Sequence, residues 1–235
     1  MKYKRNLKVL KNFKNEMERL KNLENQEIKP ILVWIKERQK KVNSTSKIIN
    51  LKDCDGWNFD KNQNLYHKSR QFFKVKGVKT SGATDREVKS WTQPILTQKH
   101  GGVLAFICRQ TEKYGTEFLL EAKIEPGDDS IIKISPSFQA TQSNMNRAHG
   151  GKRPKFYDIV IKQKGVKLIY YTIHNEEGAR FWKKSNWNVI VKLNDPYDKR
   201  INGKNYKWAS FAQIKKLSLR NRCVNPFVKT ILFIL

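Results

Sequence analysis

The chain has 235 residues, of which 38% are hydrophobic and 11% aromatic, so it can bury a substantial core and is not an intrinsically disordered protein. Its formal net charge of +27 indicates an anionic partner, which could be a nucleic acid, a membrane surface or a small molecule. The lysines are scattered and the central third is the least basic part, which disfavours a nucleic-acid partner because such proteins concentrate their cations at a reading surface.

Cysteine spacing and hydropathy limit further the kinds of protein that this chain can be. Cys54, Cys108 and Cys223 lie far apart and form no CxxC motif, which disfavours a disulfide framework and a zinc site. The first residues contain no apolar run typical of a signal peptide, and the apolar run 231–235 is too short to span a bilayer. The sequence therefore predicts a cytoplasmic protein without membrane contact, and it predicts neither a metal nor a cofactor.

The chain begins with helical patterns. Apolar residues recur at three- and four-residue steps between positions 7 and 20, which predicts an amphipathic helix. A second helix is predicted from Pro30, which suits a first turn, to about Lys41. We interpret 1–46 as a helical arm for packing or dimerisation and 47–235 as a single module.

Strand patterns follow the arm. Phe73 and Val75 alternate with lysines, which predicts a half-buried strand ending at Gly77. Apolar, β-branched and aromatic runs predict further strands over 102–108, 116–122, 167–173 and 188–193.

Two helices are predicted near the end of the chain. Ser210 and Gln213 have the capping-box spacing of a helix that runs through Leu217. Asn225 and Pro226 suit the cap and first turn of a final helix. The fold class expected from these elements is α+β, with a mostly antiparallel sheet and helices at both ends.

Polar residues interrupt the strands at several places. His67 and Ser69 precede the first predicted strand, and the histidine either takes part in chemistry or is a surface residue with ordinary hydrogen bonds. Pro94 lacks an amide hydrogen and fixes the backbone, so we expect Gln93 at a rigid bend with its side-chain amide free. Trp91 could stack on a base or a sugar, and the alternative is a core tryptophan beside a glutamine that satisfies loop backbone.

A second polar cluster surrounds Lys123 and Glu125. Residues two apart on a strand point to the same side, so this pair could place a cation for a diphosphate beside a carboxylate for proton transfer. The alternative is an exposed ion pair that contributes at most about 1 kcal/mol. A third cluster spans 137–144 and contains Gln139, Thr141 and Asn144.

Taken together, these motifs resemble the NDP-hexose 2,3-dehydratases of deoxysugar biosynthesis. The resemblance includes the Trp91-Thr92-Gln93-Pro94 and Glu125-Pro126-Gly127 motifs and covers the chain from about Trp34 to its end. The matching segments are 67–73, 77–78, 86–95, 122–127, 135–141, 177–181, 208–217 and 224–225.

This resemblance implies a Nudix-like fold that binds a nucleotide-diphosphate sugar, typically a dTDP-4-keto-6-deoxyhexose, and removes water across C2 and C3 without a redox cofactor. The chain lacks the run of carboxylates of a Nudix box, because Arg86-Glu87 is followed by Val88-Lys89-Ser90. Family members resemble a tandem duplication and this chain supplies one copy. It is therefore expected to act as a homodimer, or to be a catalytically silent or truncated half-module; a basic nucleic-acid-binding protein is the weaker alternative.

The same resemblance suggests roles for individual residues. For proton transfer we predict Glu125, with His67 and His149 as further candidates. His100 and His174 are interpreted as incidental. The residues predicted to bind the nucleotide, diphosphate and sugar are Arg86, Trp91, Gln93, Lys123, Gln139, Thr141, Asn144 and Arg180.

Overall fold

A computed structural model describes residues 7–128, 130–148 and 150–235 as an α+β protein with two mostly antiparallel sheets. The helices are α1 (Leu7–Arg19), α2 (Lys29–Gln39), α3 (Gln142–Met145), α4 (Tyr157–Val160), α5 (Phe211–Ser218) and α6 (Pro226–Leu232). The strands are β1 (Trp57–Phe59), β2 (Leu65–His67), β3 (Lys74–Thr80), β4 (Trp91–Thr97), β5 (Gly102–Thr111), β6 (Gly115–Lys123), β7 (Lys133–Pro136), β8 (Phe138–Thr141), β9 (Val166–Asn175), β10 (Phe181–Trp182), β11 (Ser185–Leu193) and β12 (Tyr206–Ser210).

The strands form a five-stranded sheet in the order β1-β2-β3-β4-β10 and a seven-stranded sheet built on the path β12-β6-β5-β11-β9. Each sheet contains one parallel pair, β4 with β10 and β5 with β11. The predicted α+β class and mostly antiparallel pairing are confirmed. The Nudix-like relationship stays a prediction.

The seven-stranded sheet splits at Ser137. Strands β5 and β6 pair directly at their hairpin end and then diverge, so that β7 pairs with β6 while β8 pairs with β5. The chain turns between these two strands at Ser137, whose buried hydroxyl accepts a hydrogen bond from Ile107 N and donates one to Leu119 O, each at 2.8 Å. One side chain thus satisfies the backbone of both diverging strands.

Helices cover one face of this sheet. Leu10 and Phe13 of α1 and Trp34 of α2 belong to the same buried cluster as Phe106 and Phe118 of the sheet. The residues predicted as an arm therefore contribute to the main core, and the boundary at residue 46 stays a prediction. Within the described ranges, no helix has the length and apolar character needed to cross a membrane.

The predicted helix caps are confirmed. Ser210 and Gln213 form both halves of a capping box at α5, and Asn225 caps α6 ahead of Pro226. The strand predicted to end at Gly77 continues to Thr80, because its residues keep pairing with β4. The short strands β1 and β2 were not predicted.

The expected bend at Pro94 is wrong. Pro94 lies inside the regular strand β4 and pairs with Gly77. Strand β10 pairs with β4 only at Leu96 and Thr97, so the missing amide of Pro94 falls where β4 has no partner strand on that side.

Candidate active site

Glu125 lies just beyond the end of β6, where two other polar side chains hold its carboxylate. Its Oε1 is 2.9 Å from Lys123 Nζ and accepts a hydrogen bond from Gln139 Nε2 at 3.0 Å. The side chains of Lys123 and Glu125 are 27% and 34% exposed. The two residues do form an ion pair, which is partly exposed, and Gln139 joins it from β8.

The orientation of Gln139 follows from this contact. A carboxylate can only accept hydrogen bonds, so the amide nitrogen of Gln139 must face Glu125. Its buried Oε1 then has no hydrogen-bond partner among the described residues. Gln139 is thus an unsatisfied acceptor directly beside an ion-paired carboxylate.

A second carboxyl group, Glu121, lies on the same strand and side as Lys123. Tyr206 pairs with it from β12 and donates a hydrogen bond from its hydroxyl to Glu121 Oε1 at 3.1 Å. Burial raises the pKa of Glu121, while the charge of Lys123 and the Tyr206 hydroxyl oppose that rise and the charge of Glu125 adds to it. Burial and the negative charge of Glu121 also raise the pKa of Tyr206, which keeps its hydroxyl protonated.

Sequence reasoning missed both Glu121 and Tyr206. A carboxylate inside an apolar strand, two residues before Lys123, was the available signal for Glu121. Nothing in the sequence indicated Tyr206, because it reaches Glu121 only through the pairing of two strands that lie far apart in the chain.

A cleft of about 490 Å³ opens between the two sheets. It is lined by the segment before β3, the β4–β5 connection and α3, with these residues: Arg70, Gln71, Phe72, Gln98, Lys99, His100, Gln142, Ser143 and Asn146. Its volume is in the range of small-molecule sites. His100, which we interpreted as incidental, lines this cleft.

His67 lies beside the cleft. Its Nδ1 is 2.8 Å from Ser69 Oγ, and its ring meets Phe72, a cleft residue, edge to face at 4.6 Å. The backbone of Gly56 lies against the opposite ring nitrogen so closely that an added Cβ would come within 2.7 Å of Nε2. Ser69 thus holds Nδ1, the Nε2 side of the ring packs against Gly56, and a role for His67 in proton transfer stays a prediction.

Thr141 and Asn144 meet at the start of α3. The Thr141 hydroxyl accepts a hydrogen bond from Asn144 N and donates one to Asn144 Oδ1 at 2.7 Å. The same hydroxyl contacts Ser143, which lines the cleft, at 2.8 Å. These two residues thus shape one wall of the cleft by capping its helix.

The remaining predicted site residues lie along the smaller sheet or in a loop. Gln93 accepts a hydrogen bond from Trp91 Nε1 at 2.9 Å and donates one to Ala179 O at 2.6 Å, so the prediction that its amide is free is wrong. Arg180 pairs with Glu177 at 3.3 Å, and both side chains are mostly exposed. Arg86 lies exposed in the loop before β4, and His149 falls outside the described residues.

In the described part of the chain, no three His, Cys, Asp or Glu side chains converge as a metal-binding group. The polar groups that contact Glu125 are a lysine and a glutamine, which suit hydrogen bonding and proton transfer better than metal coordination.

Comparison with known proteins gives a consistent result. A sequence model of the NDP-hexose 2,3-dehydratase family matches residues 28–235. A protein of Amycolatopsis orientalis, named dTDP-4-dehydro-6-deoxy-alpha-D-glucopyranose 2,3-dehydratase, is 29% identical over 210 residues, covering 86% of this chain and 43% of that protein. Proteins with the same name from Saccharopolyspora spinosa and Streptomyces violaceoruber are 26% and 32% identical, covering 85% and 60% of this chain. The chain spans less than half the length of each of these relatives.

Proposed function

This chain belongs to the NDP-hexose 2,3-dehydratase family, and from that membership we propose that it removes water across C2 and C3 of a dTDP-4-keto-6-deoxyhexose. The observation that carries the proposal is the position of Glu125. A half-buried carboxylate, fixed by Lys123 and Gln139 just beyond the end of β6, has the properties of a general base.

The proposed reaction begins at C3. The neighbouring C4 ketone acidifies the C3 proton, and Glu125 removes it. The electron pair of the broken C–H bond is first held on the C4 carbonyl oxygen as an enolate. It then forms the C2–C3 double bond as the C2 hydroxyl, after gaining a proton, leaves as water. The resulting enol tautomerises to a 3,4-diketo sugar, so no electrons are exchanged with a cofactor.

We assign the nucleotide diphosphate to the 490 Å³ cleft. Arg70 and Lys99 supply cations there, and Arg70 is positioned by stacking on Tyr66 at 3.8 Å. Gln139 and Thr141 lie two residues apart on β8, so both side chains point to the same side of the strand. This side of β8 runs from Glu125 toward the wall of the cleft. A substrate with its nucleotide in the cleft and its sugar near Glu125 would follow this polar side of β8.

The assembly is a further part of the proposal. We propose that the chain acts in the cytoplasm as a homodimer, in which two copies pack as the two modules of the tandem arrangement do. Size-exclusion chromatography with light scattering would return twice the mass of 27.7 kDa, and a monomer that turns over substrate would contradict the dimer.

The central test is turnover. The purified chain is incubated with dTDP-4-dehydro-6-deoxyglucose, and loss of water is followed by mass spectrometry. We expect product from the wild type and a loss of about 100-fold or more in kcat for Glu125→Gln. Glu18→Gln is the control, because this glutamate of α1 forms an ion pair with Lys21 that is mostly exposed, and it should keep wild-type turnover.

Binding separates the dehydratase from a silent half-module. Both should be stabilised against heat by dTDP, and Arg70→Ala with Lys99→Ala should weaken that stabilisation. Stabilisation by dTDP without turnover in the wild type would favour a nucleotide-sugar-binding module over the dehydratase. If dTDP did not stabilise the chain and no turnover occurred, both the dehydratase and the nucleotide-sugar-binding module would be contradicted.

A further inference from the structure

The dehydration requires a proton donor as well as a base, and the structure contains a second carboxyl group beside the first. Glu121 and Lys123 lie on β6, and Glu125 follows just beyond the end of that strand. Lys123 contacts Glu125 at 2.9 Å and also acts electrostatically on Glu121. The two carboxyl groups therefore share one cation.

The surroundings of Glu121 differ from those of Glu125. Across the strands, Glu121 is flanked by Tyr206 of β12 and Ser135 of β7. Tyr206 donates to one carboxyl oxygen at 3.1 Å, whereas the buried Ser135 hydroxyl has no hydrogen-bond partner among the described residues. The remaining charged neighbour is Lys155, whose ammonium group lies 4.9 Å from the centre of the Tyr206 ring. Glu121 is thus held in a polar row within a sheet, and among the described residues it forms no direct ion pair with either lysine.

We propose that Glu121 is the general acid of the dehydration, donating its proton to the C2 hydroxyl as water leaves, and that Tyr206 positions its carboxyl group. This assignment rests on the proposed function. Glu125 first takes the proton from C3, and the Glu121 O–H bond then breaks as an O–H bond of water forms. Exchange with solvent then restores the proton on Glu121 and removes the one on Glu125. Burial raises the pKa of Glu121, which favours the protonated form that this role needs.

Glu117 is the matched control for this role. It lies on the same strand and side as Glu121, and burial raises its pKa as well. Its carboxylate forms an ion pair with Arg109 at 2.6 Å, whereas Glu121 is held by the neutral Tyr206 hydroxyl. A loss of activity that came only from disturbing a half-buried glutamate would appear in Glu117→Gln too.

The test separates the two proton transfers. Each variant is incubated with dTDP-4-dehydro-6-deoxyglucose in D₂O, and both deuterium entry at C3 and loss of water are measured. Glu121→Gln should lose water about 100-fold or more slowly with KM nearly unchanged, yet still exchange the C3 proton, and Glu121→Asp should recover part of the rate. Glu125→Gln should lose both activities, and Glu117→Gln should keep both.

The pH profile provides a readout that a structural role would not change. Turnover should fall as pH rises through the pKa of Glu121, because the acid form is lost. The Tyr206 hydroxyl lowers that pKa, so Tyr206→Phe should move the alkaline limb to higher pH. Water loss by Glu121→Gln within fivefold of the wild type, or an unmoved limb in Tyr206→Phe, would overturn the assignment. A wild type that neither exchanges C3 nor loses water would instead overturn the proposed function itself, and this inference with it.

Discussion

Gln139 donates its side-chain amide to Glu125 across 3.0 Å and thereby joins β8 to the loop after β6, the two sides of the split in the larger sheet. Without this hydrogen bond, Glu125 would depend on Lys123 alone for its position. The split therefore places an amide from one strand and a cation from another on the same carboxylate oxygen.

The first prediction concerns Gln139. Gln139→Leu removes the amide but keeps a similar volume, so the carboxylate of Glu125 loses one of its two fixed partners. We expect kcat to fall about tenfold, since one lost hydrogen bond to a charged group corresponds to roughly 1.5–3 kcal/mol at most. Steady-state kinetics with dTDP-4-dehydro-6-deoxyglucose measures the change. An unaltered kcat would show that Gln139 does not position Glu125 during turnover.

The second prediction compares two lysines that pair across β6 and β7. Lys123 contacts Glu125, whereas its cross-strand partner Lys133 pairs with Asp128. Lys123→Met should lower kcat/KM by at least tenfold, because it leaves a half-buried carboxylate without its cation. Lys133→Met should retain activity in those molecules that fold, as judged by circular dichroism. Equal losses in the two variants would argue for a general effect of the loop rather than for a role of Lys123.

The third prediction concerns stability at the sheet split. Ser137→Ala leaves Ile107 N and Leu119 O without their side-chain partner in a buried position. We expect the free energy of unfolding to fall by about 1–3 kcal/mol, measured by urea denaturation. Ser218→Ala serves as the control, because that serine bonds only an exposed carbonyl group at the end of α5. A Ser137→Ala variant as stable as this control would contradict the bridging role of the hydroxyl.

The fourth prediction follows from the raised pKa of Glu121. A carboxyl group whose pKa is higher in the folded than in the unfolded chain stabilises the fold at low pH, and that contribution is lost as pH rises through the folded-state pKa. Glutamine does not ionise, so Glu121→Gln should gain stability relative to the wild type between pH 5 and pH 8. Thermal melting at both pH values measures the difference in Tm. A constant difference in Tm between Glu121→Gln and the wild type would contradict the prediction.

Local patterns in the sequence were sufficient for most of the fold. The spacing of apolar residues predicted α1 and α2, and Ser210 with Gln213 predicted the start of α5, because helix periodicity and capping act over a few neighbouring residues. Strands β5, β6 and β11 were likewise evident from β-branched and aromatic runs. The resemblance carried by short motifs indicated the family that the comparison then matched over residues 28–235.

The site depended more on tertiary structure. Glu125 and Lys123 were predicted together because they are two residues apart, but the contact with Gln139 requires the split at Ser137, and the contact of Glu121 with Tyr206 requires β12 to pair with β6. Gln93 was misread for the same reason, since Ala179 reaches its amide only from another part of the chain. The sequence by itself determined which residue types the chain carries and which local elements they form. Only strand pairing over long sequence separations decided which side chains meet, because hydrogen bonds between distant segments leave no local pattern in the sequence.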